Sequence, residues 1–205
     1  METVSKGNDQ FVLNSDFADS YECKNGKPFK WDDFLPGYSE LSELKRSAYF
    51  FRDGMTDAEI NTQKEYGADM SLYKSSGNES RIKTIYAQRD PRLAATVILP
   101  YSTYVGGATG AALTYTLRFP YRKDTAPELD LQTRYTTKMY YWMRKFVARG
   151  TEYASSEYTG IDMPVFRYAD VLLCLAEAIN EQGRTDEAVK YVNRVRDRAG
   201  VAELD

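Results

Sequence analysis

Histidine is absent from this 205-residue chain. That removes the commonest general base and the commonest zinc ligand. Cysteine is scarce: Cys23 and Cys174 are too few for a disulfide framework. Cys174 falls in an apolar run spaced as a helix, so it is expected as a small buried hydrophobe. No apolar run reaches the roughly 18 residues that a bilayer-spanning helix needs. A glycine-rich phosphate loop, a nucleophile elbow and a metal-ligand cluster are all missing. Charge of one sign does not dominate. The 27 basic and 30 acidic residues leave a net charge of −3, which gives no reason to expect nucleic acid. With so many carboxylates, pairs such as Asp32–Asp33 or Asp57 and Glu59 arise by chance. A glycosidase needs two carboxylates on opposite sides of one bond, and spacing in the sequence does not show that. The chain is therefore read as a non-enzyme with no cofactor and no metal site.

What it has in excess is aromatic. Aromatic residues make up 14% of the chain, with 17 tyrosines. Such a content serves either a tyrosine-rich core or a surface that stacks on sugar rings or protein partners. The length suffices for one domain with a real core.

The stretch Met163–Gly200 organises the rest as two helices joined by a tight turn. Tyr168, Leu172, Leu175, Ala176 and Ile179 recur at spacings of three and four. Val171, Leu173, Cys174 and Ala178 make the other faces apolar too, so burial on several sides is expected. Gly183 suits the left-handed position that ends such a helix. Thr185 is placed as the cap of the second helix, with Asp186 and Glu187 in its first turn. Ala188, Tyr191, Val192, Val195 and Ala199 form its inner face, and Gly200 ends it.

Upstream the elements are shorter. Asn14 or Ser15 caps a brief helix in which Phe17 and Tyr21 share a face. Lys24–Pro28 is a turn, and Trp31–Tyr38 a loop turning at Pro36–Gly37. Glu40–Phe51 has helical spacing, and Thr56–Glu59 is a capping box for a helix reaching about Tyr66. Asp69–Ser80 reads as a loop. Asp90 caps a helical turn with Pro91 at its first position. Thr96–Leu99 is β-like, Gly106–Gly110 a flexible connection, and Lys123–Thr137 a polar loop. Leu113–Tyr121 reads as a strand, with Met139–Val147 as its partner and Trp142 in the core.

The run Pro164-Val-Phe-Arg-Tyr-Ala-Asp-Val-Leu-Leu, then Ala176-Glu-Ala-Ile-Asn-Glu, then Val192-Asn-Arg-Val-Arg-Asp-Arg-Ala-Gly, resembles the SusD/RagB family. Asn14–Pro28, Arg89-Asp-Pro-Arg and Tyr141-Trp-Met-Arg-Lys-Phe agree with it in order. The resemblance implies a mainly α fold: an α-α superhelix with a tetratricopeptide-like hairpin, long loops and a few short β-strands. Residues 1–205 then form part of a SusD-like C-terminal domain, with mixed elements over 1–160 and the helical hairpin over 161–200. It also implies capture of glycans at the bacterial outer membrane for a SusC-like, TonB-dependent transporter. Met1–Gly7 carries neither a signal peptide nor a lipid-attachment cysteine. The expectation is thus an internal or C-terminal piece of a longer protein, membrane-associated only through a lipid anchor on the missing N-terminal part.

Residue type and loop position nominate the glycan contacts. Sugar faces stack on aromatic rings, and hydroxyls seek Asp, Asn, Gln and Arg at the rim. Trp31 and Tyr38 flank a Pro-Gly turn, and Tyr101 and Tyr104 precede Gly106-Gly107. Core packing is the alternative for each. A tetratricopeptide-type module that docks a protein is the alternative for the whole.

Overall fold

The computed structural model describes residues 13–106, 113–122, 129–131, 141–145 and 164–205. Helix is the dominant structure there, in seven α-helices among the described residues. Five are short: α1 (Ser15–Asp19), α2 (Glu43–Arg46), α3 (Asp57–Glu65), α4 (Asn78–Ala87) and α5 (Pro91–Thr96). The hairpin pair, α6 (Tyr168–Asn180) and α7 (Thr185–Ala199), is the longest. Strands β1 (Val97–Ile98) and β5 (Trp142–Met143) pair antiparallel. In the second sheet β3 (Leu113–Thr116) lies between β2 (Thr103–Gly106), antiparallel, and β4 (Leu129–Asp130), parallel.

Local capping accounts for several of these boundaries. Asn14 accepts from the Asp16 amide at the start of α1, where the Phe17 and Tyr21 rings meet edge-on at 5.6 Å. Thr56 and Glu59 form a reciprocal capping box on α3, satisfying two backbone donors that a helix start leaves over. Asp90 accepts from the Arg92 amide, with Pro91 as the first residue of α5. Gly183 and Gly200 both take positive φ, 76° and 71°, and end α6 and α7.

Elsewhere tertiary demands override the local pattern. The helix expected over Glu40–Phe51 shortens to α2 and a 3₁₀ turn, Ser47–Phe50. Phe50 packs against Trp31 while Phe51 packs against Phe119, so successive rings serve different cores. The expected loop Asp69–Ser80 holds a 3₁₀ turn, Met70–Leu72, and the start of α4. That start is capped from a distance: the Asp53 carboxylate accepts from the amides of Gly77, Asn78 and Glu79. The Asn78 side-chain amide, wholly buried, donates to the carbonyls of Tyr49 and Phe51, at 3.1 and 2.6 Å.

The expected pairing of the Leu113–Tyr121 and Met139–Val147 strands is replaced. Trp142 pairs with Ile98, which lodges its ring in the core at 2% exposure. Most of the Gly106–Gly110 and Lys123–Thr137 connections lies outside the described residues. Thr185 is the first residue of α7 and not its cap, its hydroxyl donating instead to Asn180 Oδ1.

The hairpin meets the body at one end. Arg196 on α7 is buried, pairs with Glu22 at 2.8 Å and donates to the Ala202 carbonyl. The Ala202 amide donates to the Lys24 carbonyl. Ala176 and Ile179 of α6 are buried against Ala188, with Tyr191 and Val192 beside them, and Leu172 is buried on the same helix. Val171, Leu173, Cys174 and Leu175 are exposed, against the expectation of burial on several sides. Among the described residues α7 covers only one side of α6.

Candidate functional site

Trp31 sits in a 3₁₀ turn, Trp31–Asp33, at the centre of a ring cluster. Its indole stacks on Tyr38 at 5.1 Å and meets the edges of Phe29, Phe50 and Tyr86 at 5.0, 5.3 and 6.0 Å. Offset and edge-to-face pairs are the favoured aromatic geometries. Its N–H donates to Asp19 Oδ2 at 2.9 Å. Desolvation pushes the Asp19 carboxyl up, against the lowering effect of that bond and of Arg89. The outer side of Tyr38 is taken by Arg46, whose guanidinium lies 4.9 Å from the ring centre. Burial pushes the Tyr38 hydroxyl up to about 12.

Arg89 closes this cluster from beneath. Its guanidinium lies 3.4 Å from the Phe29 ring centre and donates to the carbonyls of Ala18 and Tyr21. Tyr86 and Tyr141 bond hydroxyl to hydroxyl beside it, and burial raises both well above the ordinary tyrosine range.

Tyr101 is 2% exposed with φ of 62°, an uncommon conformation for a bulky residue. Its hydroxyl donates to the Phe50 carbonyl and its amide to the Leu117 carbonyl, which hold it there. Tyr104, 1% exposed, packs with Ile98, Leu117, Leu131 and Trp142.

All four nominated glycan contacts thus lie inside the body, in two separate clusters: Trp31, Tyr38 and Tyr101 in one, Tyr104 in the other. Trp31 and Tyr38 are 8% and 7% exposed. A stacking platform needs one ring face open to ligand. In this structure all four rings pack as core.

Two charged arrangements escaped the sequence reading. Asp130 accepts from Arg118 at 2.8 Å and from both Nε and Nη2 of Arg122. Burial pushes its carboxyl up, but the bonds from Arg122 and Arg118 outweigh that and hold it low. Arg52 bridges Glu59 and the carbonyls of Asp53, Gly54 and Pro120, tying α3 to the turn after Phe119. Both arrangements tie loops together.

An open feature lies on the hairpin. A recess of about 210 Å³ is lined by Tyr168, Ala169, Leu172, Arg194, Val195 and Arg198. Arg194 donates to the Tyr168 hydroxyl at 3.1 Å and lies 5.7 Å from its ring centre. Among the described residues no group of His, Cys, Asp and Glu is placed to hold a metal ion. No helix of the described residues is long and apolar enough to cross a membrane.

Comparison with known proteins places this architecture. No curated protein matches the chain significantly. A solved SusD-like protein from Bacteroides fragilis is similar at 20% identity and a TM-score of 0.46, over 95% of this chain and 30% of that one. The chain therefore spans about 30% of that relative's length. The family model described as SusD family matches residues 2–205, nearly the whole sequence, and the chain belongs to that family.

Proposed function

We propose that this chain is part of a protein that captures oligosaccharide at the bacterial cell surface without cleaving it. The captured glycan passes to a TonB-dependent, SusC-like transporter in the outer membrane, where a lipid anchor on the parent keeps the two together. The observation that carries this reading is the family match over residues 2–205. The family supports a glycan-binding role and an outer-membrane setting in general. In this part of the parent the aromatic residues build the scaffold, and glycan contacts fall to residues other than Trp31, Tyr38, Tyr101 and Tyr104.

The test is calorimetric titration of the full-length parent against a panel of polysaccharides, with Trp31→Phe and Tyr104→Phe beside it. Both substitutions keep a ring in the core. Saturable binding that survives them, with no reducing sugar released, supports capture by other residues. Release of reducing sugar sinks the non-catalytic reading. A roughly tenfold loss of affinity, about 1.4 kcal/mol, with an unchanged melting temperature would return these rings to the binding surface.

A second reading, a tetratricopeptide-type module that docks a protein, is favoured by one observation: the exposed apolar side of α6.

A further inference from the structure

The hairpin and the body do not share an apolar cluster. That of the hairpin, Ala176, Ile179 and Ala188 with Tyr191 and Val192, includes no residue of the body. Tyr168, Val171 and Leu175 stand at i, i+3 and i+7 of α6 as a stripe, and all three are exposed. Among the described residues, the hydrogen bonds and ion pairs between hairpin and body gather at the end of α7.

The body's half of this joint is the turn at Gly26. It is fixed from behind: the Lys24 amide donates to the Gln88 carbonyl at 2.8 Å, and the Asp90 amide to the Glu22 carbonyl at 2.9 Å. Arg196 of α7 fills the turn from the front. Its Nη1 lies 2.8 Å from the Glu22 carboxylate, and its Nε donates to the Ala202 carbonyl at 2.7 Å. The Ala202 amide returns to the Lys24 carbonyl at 2.8 Å. Nη2 is buried without a hydrogen-bond partner, and a Cβ built at Gly26 would lie 2.8 Å from it. Glycine is therefore needed twice here, for a φ of 79° and for the methyl group it lacks. The chain after α7 belongs to the hairpin side, because the Asn193 side chain holds both the amide and the carbonyl of Leu204, at 2.8 and 2.9 Å.

The energy of the seat is finely balanced. The desolvation of a buried guanidinium offsets much of what its ion pair returns. A buried donor with no partner adds a further penalty, which opening relieves by giving Nη2 to water. Such a joint fixes where the hairpin sits more than how firmly it is held. We infer that Arg196 is a latch. Seated on the Gly26 turn, it locks α6, α7 and residues 201–204 to the body; unseated, it lets them swing as one unit while the body stays folded. Rigid elements moving about a few terminal residues are hinge motions, and openings short of global unfolding run through regions with few buried contacts. The inference does not depend on glycan capture.

Native-state hydrogen exchange of the 205-residue chain, read by mass spectrometry, tests it. Gly26→Ala places a methyl group where Nη2 lies and should unseat the guanidinium. Amides of residues 168–204 are expected to exchange roughly tenfold faster or more, with those of residues 78–99 unchanged. Gly37→Ala is the matched control: its φ of 78° imposes the same backbone strain, but its Cβ meets nothing within 4 Å. It should leave exchange in the hairpin as it was. In an Arg196→Ala background Gly26→Ala should lose most of its effect on the hairpin, since nothing remains to be displaced. Should Gly26→Ala fail to fold, Glu22→Gln removes the ion pair without touching the turn's backbone and should speed exchange over the same residues. Loss of protection in hairpin and body together overturns the latch, as does an equal effect of Gly26→Ala with and without Arg196. Unchanged exchange in the hairpin of Gly26→Ala or Glu22→Gln overturns it too.

Discussion

The body and the hairpin of this chain spend their apolar residues in opposite ways. In the body, the ring of Trp31 is surrounded by Phe29, Tyr38, Phe50 and Tyr86, and only 8% of the residue remains exposed. Its polar tip is answered by Asp19. In the hairpin, α6 is apolar around much of its circumference, yet Val171, Leu173 and Leu175 stand 56%, 43% and 41% exposed. Composition is thus a poor guide to placement here. Aromatic residues that loops advertised for binding are consumed by the core, while the helix that read as buried presents the open surface. The contrast teaches that the body closes on itself and the hairpin does not.

The largest effect should come from breaking the closed region. Trp31→Ala removes the centre of a five-ring cluster and leaves Asp19 without its indole donor. Truncating a buried aromatic costs about 3–5 kcal/mol. Chemical denaturation of the 205-residue chain should show a loss of that size. A change below about 1 kcal/mol would mean that the ring stands at a surface after all.

Next in size is the clasp at Asp130, whose side chain is fully buried between two arginines. Removing one partner of a buried ion pair costs about 3 kcal/mol when the remaining charge has no other partner; Arg118 keeps Glu79 at 3.4 Å, so the cost here stays below that. Asp130→Asn should therefore be clearly destabilising near neutral pH. The pH dependence has a definite sign. The folded carboxyl is held below its ordinary value. Its contribution is thus fully present above the unfolded pKa of about 4 and is lost as pH falls through the folded value. The gap between wild type and Asp130→Asn should narrow on acidification below about pH 4. A gap that stays constant down to pH 2 would show that the clasp is not ionic.

Both regions were partly legible in the sequence, for different reasons. Elements capped by their own neighbours were readable: the Thr56–Glu59 box, Asp90 before Pro91, and Gly183 after α6. Helix α4 was missed although Ile82, Ile85 and Tyr86 repeat at helical spacing. Its cap is the Asp53 carboxylate, 24 to 26 residues away in the chain, so local reading sees only a Gly/Ser-rich stretch. The strand pairing of Trp142 with Ile98 is likewise long-range, and alternation alone does not name a partner. The burial of the four nominated rings was illegible for a related reason. Residue type says that tryptophan and tyrosine stack, but not on what. The family was legible because its motifs lie in the hairpin, the most continuous helical stretch.

Back at the hairpin, the turn should respond more weakly than the core. A Cβ built at Gly183 meets nothing within 4 Å, so crowding is not the issue. The cost of Gly183→Val is backbone strain at φ of 76°, on the order of 1 kcal/mol or more for a β-branched residue. An unchanged melting temperature would mean that the turn relaxes without its left-handed residue.

The smallest effect is the most diagnostic of the contrast between the two regions. Val171 is 56% exposed in the middle of the open stripe. Replacing it with serine removes two methyl groups that are already largely in water, so the transfer loss is small. Substitutions at exposed positions usually stay within about ±0.5 kcal/mol. Helix propensity adds little, because valine and serine rank close together. Val171→Ser in the 205-residue chain should therefore be nearly silent in denaturation, where Leu172→Ser, one residue on and 6% exposed, should be strongly destabilising. The pair is the sharpest comparison available, since both sites share one helix and one turn. In the full-length parent the outcome should change if another element covers this face. There Val171→Ser should approach the cost of its buried neighbour. Equal, small effects of Val171→Ser in both settings would mean that the stripe stays open in the whole protein. A large effect already in the isolated chain would mean that α6 is covered there too, and the division into a closed body and an open hairpin would fall.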